Sequence, residues 1–115
     1  MAFGLILMAT AGLLQAGLEA HGRGDFEAAR AALKPLAAQG SAVAETILGG
    51  MAARGQGRPT DPAAAVAWWL RAANRGYVPA QLALARALAD GRGVARDEAA
   101  AAYWAARAAN GGGLP

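Results

Sequence analysis

The sequence predicts an all-α fold, an α-α superhelix in which antiparallel helix pairs stack into a short right-handed solenoid. Three observations predict it. Alanine, the strongest helix former, supplies 35 of the 115 residues. Two Ile, four Val and three Thr leave little from which to build a sheet. The chain also repeats itself: an offset of 36 aligns residues 41–76 with 77–112 without a gap, and 15 of the 36 pairs are identical. Alanine inflates that score, but it cannot align Trp68 with Trp104, Asp61 with Asp97, Asn74 with Asn110, or Gly55, Gly57 and Gly76 with Gly91, Gly93 and Gly112. Repeats of this length mark solenoids, in which each unit buries its apolar face on the next.

The first element is ambiguous. Residues 2–14 (AFGLILMATAGLL) are uniformly apolar. At 13 residues they are too short for a bilayer, which needs about 20, so no transmembrane span is expected. Ala9-Thr10-Ala11 has the small-x-small form of a signal cleavage site, yet no basic residue precedes Arg23. Residues 1–11 therefore read either as a signal-peptide remnant or as an extension of an N-terminal helix. The first reading would place the protein in the periplasm or outside the cell, the second in the cytoplasm.

Residues 12–40 form an opening helix pair. A helix over 12–21 meets the turn Gly22-Arg23-Gly24, and a second helix over 25–38 ends before Gly40. Pro35 lies inside that helix, where its missing amide should kink it. Residues 41–76 form the second pair. Ser41 caps a helix over 42–53 that carries Ala44, Leu48 and Met51 at helical spacing. Gly55-Gln56-Gly57 stops it, and Asp61-Pro62 opens a helix bearing Ala65, Trp68, Ala72 and Ala73. Residues 77–112 copy the plan: helix 78–89 with Ala80 and Leu84, then Gly91-Arg92-Gly93, then helix 97–109 around Trp104. Residues 113–115 read as the start of a truncated further repeat, because Pro115 pairs with Pro79 at the same offset.

These motifs resemble the Sel-1-like repeat, a relative of the tetratricopeptide repeat. That family shows an alanine, Leu-Gly, Gly-x-Gly-Val, an Asp, and an ending Ala-x-x-Trp-Tyr-x-x-Ala-Ala-x-x-Gly. Here the pattern is met by Ala44, Leu48-Gly49, Gly55-x-Gly57, Asp61, Ala65, Trp68-Trp69, Ala72-Ala73 and Gly76. Its second copy has Ala80, Leu84, Gly91-x-Gly93-Val94, Asp97, Ala101, Trp104, Ala108-Ala109 and Gly112. Departures are Arg58 for the usual Val, Ala85 for the usual Gly and Ala105 for the second aromatic; Ala52 and Leu88 replace an aromatic near the end of the first helix. The resemblance implies a protein-interaction module, an adaptor or scaffold holding a peptide or protein surface in a groove lined by the first helix of each repeat. It nominates Glu45, Gly49, Gln81, Ala85 and Arg86 as the lining. A second implication, taken from cysteine-rich relatives, is a secreted or periplasmic hydrolase of cell-wall or β-lactam substrates; a third is a remnant of a longer array.

The residues themselves offer little chemistry. There is no cysteine, His21 is the only histidine and Ser41 the only serine. No acid is placed to orient that pair, and no cluster of ligands has metal spacing. The Gly-x-Gly pairs follow helices and lack the third glycine of a dinucleotide loop. No catalytic residue, cofactor or metal is therefore expected. Trp68 and Trp104 recur at the repeat spacing and read as core, while Trp69, Tyr77 and Tyr103 are less regular and could form a glycan- or peptide-facing patch.

The net charge of +3 does not point to nucleic acid. Basic residues do not run together, and no glycine-aromatic RNA-binding motif occurs. Arg54, Arg71, Arg75 and Arg107 fall at helix ends, and Asp25, Asp61 and Asp97 at helix starts, where they complement helix dipoles. The last helix has almost no polar face, so self-association through residues 97–110 is expected.

Overall fold

A computed structural model describes the backbone of residues 2–114 and the side chains of 11–114. It contains six helices: α1 (Ala2–Gly22), α2 (Phe26–Ala38), α3 (Ala42–Arg54), α4 (Pro62–Asn74), α5 (Val78–Asp90) and α6 (Glu98–Ala109). No strand occurs among the described residues. Helices pair as α1 with α2, α3 with α4 and α5 with α6, and the pairs join through α2 with α3 and α4 with α5. The result is elongated, 46 × 33 × 19 Å, with a radius of gyration of 14.8 Å. A compact domain of this length would measure about 13 Å.

Helix starts are built locally. The carboxylates of Asp25, Asp61 and Asp97 accept from the amides of Ala28, Ala64 and Ala100, and the Ser41 hydroxyl accepts from Ala44. Each cap satisfies an otherwise orphaned donor and is worth about 1 kcal/mol. α3 and α5 end at Gly55 and Gly91, both left-handed, with φ of 66° and 67°. Gly93 must be glycine for two reasons. Its φ is 77°, and a Cβ there would run into the Pro62 carbonyl at the start of α4. That close approach seats the loop after α5 against the preceding pair.

Two expectations are refined. The first helix does not begin at residue 12; α1 is continuous from Ala2. Met1 and Pro115 lie outside the described residues, as do the side chains of 2–10, so the cleavage-site reading and the Pro115 pairing fall there. α2 runs through Pro35 without interruption. The proline is exposed, so solvent can hydrate the Ala31 carbonyl that it leaves unbonded.

The interior divides into two apolar clusters. One joins α1, α2 and α3 around Leu33, Leu36, Leu48 and Met51. The other joins α4, α5 and α6 around Leu84, Leu88 and Trp104. Neighbouring indoles on α4 serve different clusters: Trp68 packs on the first and Trp69 on the second. α4 thus ties the halves together. Trp104 is 8% exposed, and the Arg107 guanidinium lies 5.0 Å above its ring. The outer side of α6 is bare, with Ala102, Tyr103, Ala105, Ala106 and Ala109 all exposed. The expected self-association would use this face.

Candidate functional site

The five residues nominated as groove lining do not share one surface. Glu45 and Gln81 are 0% exposed, Gly49 and Ala85 are buried, and Arg86 alone reaches solvent. Helical spacing explains the difference. Glu45 and Gln81 adjoin Ala44 and Ala80 and lie a turn before Leu48 and Leu84, on the side facing the paired helix.

Both buried polar residues hold helix C-termini, by different chemistry at the same repeat position. The Glu45 carboxylate meets two guanidiniums from the end of α4 and just beyond it. Arg75 Nε donates to Oε1 at 2.8 Å, and Arg71 Nε lies 3.0 Å from Oε2. The Arg71 contact is an ion pair without good hydrogen-bond alignment, since Oε2 has no aligned donor. Gln81 is neutral and acts as a donor instead. Its Nε2 bonds the Ala73 carbonyl at 3.0 Å and the Gly112 carbonyl at 2.9 Å, joining the ends of α4 and α6. Arg107, equivalent to Arg71 in the repeat, also donates to Gly112, at 3.0 Å. Buried polar groups of this kind hold register, because leaving them unpaired is costly.

Gly49 makes room for an indole. A Cβ on it would sit 2.5 Å from Trp69 Nε1, whose N–H donates to the Thr46 carbonyl at 3.3 Å. In the next repeat, Ala85 replaces this glycine and Ala105 replaces Trp69. The two departures from the repeat pattern are thus one compensated change: without the ring, the methyl is tolerated. Gly49→Ala should therefore destabilise by about 1–3 kcal/mol through overpacking. Adding Trp69→Ala should cost less than the sum of the two single changes. A thermal-melt double-mutant cycle measures this, and strict additivity would argue against the contact.

The groove that does reach solvent lies between α3 and α5, with α4 as its floor. It is a cavity of about 300 Å³. Gly50, Ala53, Pro62, Ala65 and Ala87 supply a narrow apolar lining, with half-buried Trp69 as the one aromatic. Arg54, Arg86 and Arg92 stand around it, and Asp90 is the one carboxylate in its wall. Arg92 Nη2 donates to the Ala53 carbonyl at 3.3 Å, which pins the loop after α5 to the end of α3. Of these residues only Arg86 was among the five nominated from sequence. Arg54 and Arg92 come from different repeat positions, so period alone could not bring them together.

A second cavity, about 420 Å³, lies between α2, α3 and α4 near Trp68, with Arg30, Lys34 and Arg58 in its wall. Arg30 is already engaged there, paired with Glu27 at 2.7 Å and bonded to the Gln56 carbonyl at 3.2 Å. The two groups with catalytic potential are engaged in structure. His21 Nε2 and Gln56 Oε1 are 2.9 Å apart, and the imidazole packs 5.7 Å from the Phe26 ring. Ser41 caps α3. Among the described residues, no three His, Asp or Glu side chains gather as metal ligands, and no helix is long and apolar enough to cross a membrane.

Comparison with known proteins agrees with this architecture. The Sel1 repeat family model matches twice, over residues 42–77 and 78–113. A Sel1 repeat protein from Oxalobacter formigenes superposes with a TM-score of 0.80 at 27% identity, covering 84% of this chain and 40% of its own. A protective antigen present in uropathogenic Escherichia coli strains, which displays an SLR fold, superposes at 0.83 with 32% identity, covering 90% of this chain and 23% of its own. The chain thus spans less than half the length of either neighbour. No match is found among curated proteins.

Proposed function

We propose, from the premise that this chain belongs to the Sel1 repeat family, that it is a protein-interaction module whose docking site is the α3–α5 groove. Repeats of this family generally serve protein interaction. One observation supports the groove as the site: three exposed guanidiniums and a half-buried indole converge on one open cavity shared by two successive repeats. Glu45 and Gln81, by contrast, are buried and engaged within the fold. The reading assigns no catalytic step; the helices act as a frame that fixes the groove's shape. A partner segment would exclude water from the narrow lining while the charged rim selects orientation.

The test is site-directed photo-crosslinking in the producing cell. A benzophenone side chain placed at Ala83, in the groove wall, should yield a discrete protein adduct. The same group at exposed Ala31 on α2 should not. Equal adducts at both positions, or none at Ala83, would overturn the assignment of the groove.

A further inference from the structure

The groove's charge identifies the class of partner. Among the described residues most carboxylates are already in use. Asp25, Asp61 and Asp97 cap helices, Glu45 faces Arg71 and Arg75, Glu27 pairs with Arg30, and Glu98 pairs with Arg96. Arg54, Arg86 and Arg92 have no carboxylate within ion-pair distance among the described residues, and all three are exposed around the same cavity. Three guanidiniums against the single carboxylate of Asp90 leave an excess of two positive charges, three minus one, around a narrow apolar floor.

We infer that the α3–α5 groove takes an acidic segment of a partner protein, with carboxylates on Arg54, Arg86 and Arg92 and an apolar side chain against Trp69. This rests on the docking reading above and adds the chemistry of what docks. Guanidinium forks match carboxylates bidentately, and their hydrogen bonds strengthen where water is excluded. The indole adds apolar contact at little entropic cost, since the ring is already held by Thr46 and Gly49. The Ala53 carbonyl holds Arg92 in place before any ligand arrives. The arrangement favours a peptide over nucleic acid: the arginines surround one small cavity instead of tracking a strand, and it offers one indole, not a row of stacking platforms.

The experiment is a fluorescence-anisotropy titration of the full chain with three labelled probes. They are a peptide with glutamates flanking a central Leu-Phe pair, its glutamine counterpart, and an oligouridylate of matched charge. The acidic peptide should bind at least about ten-fold more tightly than either of the others. Arg54→Glu and Arg86→Glu should each weaken it about ten-fold or more, while Arg23→Glu, an equal charge change in the α1–α2 turn, should stay within about two-fold. All three positions are exposed, and circular dichroism checks that the helices persist. Equal loss with Arg23→Glu, or tighter oligouridylate binding at the same arginines, would overturn the inference. If the glutamine peptide binds equally well through Arg86, the acidic class fails and the docking reading stands. If no probe binds, the inference fails, and the Ala83 adduct decides separately whether the groove docks protein at all.

Discussion

Replacing both guanidiniums that face Glu45, as Arg71→Ala with Arg75→Ala, is expected to remove about 3–5 kcal/mol of unfolding free energy in a urea titration at neutral pH. The magnitude follows from an asymmetry of burial. Glu45 is 0% exposed, whereas the side chains of Arg71 and Arg75 are 52% and 44% exposed. Without them the carboxylate loses both of its countercharges. Removing the charge from the other partner should do much less harm. After Glu45→Gln the two guanidiniums still reach solvent, and the amide can still accept from Arg75, so the expected loss is about 1–2 kcal/mol. The order of the two losses is the decisive readout. A double arginine variant no less stable than Glu45→Gln would mean that Glu45 finds water or another donor in the folded chain.

Trp104→Ala is expected to cost about 3–5 kcal/mol. The indole is the largest member of the α4–α6 cluster, it is 8% exposed, and Tyr103 and Arg107 pack on it at 5.3 Å and 5.0 Å. Truncation would leave a cavity that alanine-rich neighbours cannot fill by rotating. In a solenoid each unit couples only to its neighbours, so the damage should concentrate in α5 and α6. A broadened transition, with early loss of amide protection in α6, is the expected signature in hydrogen exchange. Trp68→Ala should cost less, because Trp68 is half-buried even with the Arg71 guanidinium 5.1 Å above its ring. A Trp104→Ala loss below about 1 kcal/mol would contradict a core role for this ring.

What the sequence makes legible is whatever is local or periodic. Asp25, Ser41, Asp61 and Asp97 announce helix starts because a cap needs only its own next turn. The offset of 36 pairs Trp68 with Trp104; of the two, Trp104 is buried as expected, whereas Trp68 is half-buried against the first cluster. Burial of polar side chains is not legible in the same way. Glu45 and Gln81 look like surface residues by type, and their partners lie far along the chain: Arg75 is 30 positions from Glu45, and Gly112 is 31 from Gln81. The groove is hidden for a related reason. Arg54 aligns with Asp90 and Arg86 with Gly50, so the cationic rim arises where the repeats differ. Searching for identities between copies passes over those positions. The compensated change at Gly49, Trp69, Ala85 and Ala105 reads from sequence as two unrelated departures, and it becomes one only when the ring is seen against the glycine.

That change also sets how many notches the chain can offer. Trp69 stands in the cleft wall between α3 and α5, and its counterpart Ala105 has no ring to project from α6. Copies that kept the indole would form a ladder of equivalent footholds, able to grip a long ligand by avidity. Here the Trp69 notch has no counterpart at Ala105, so the docking proposed above would seat one segment between α3 and α5.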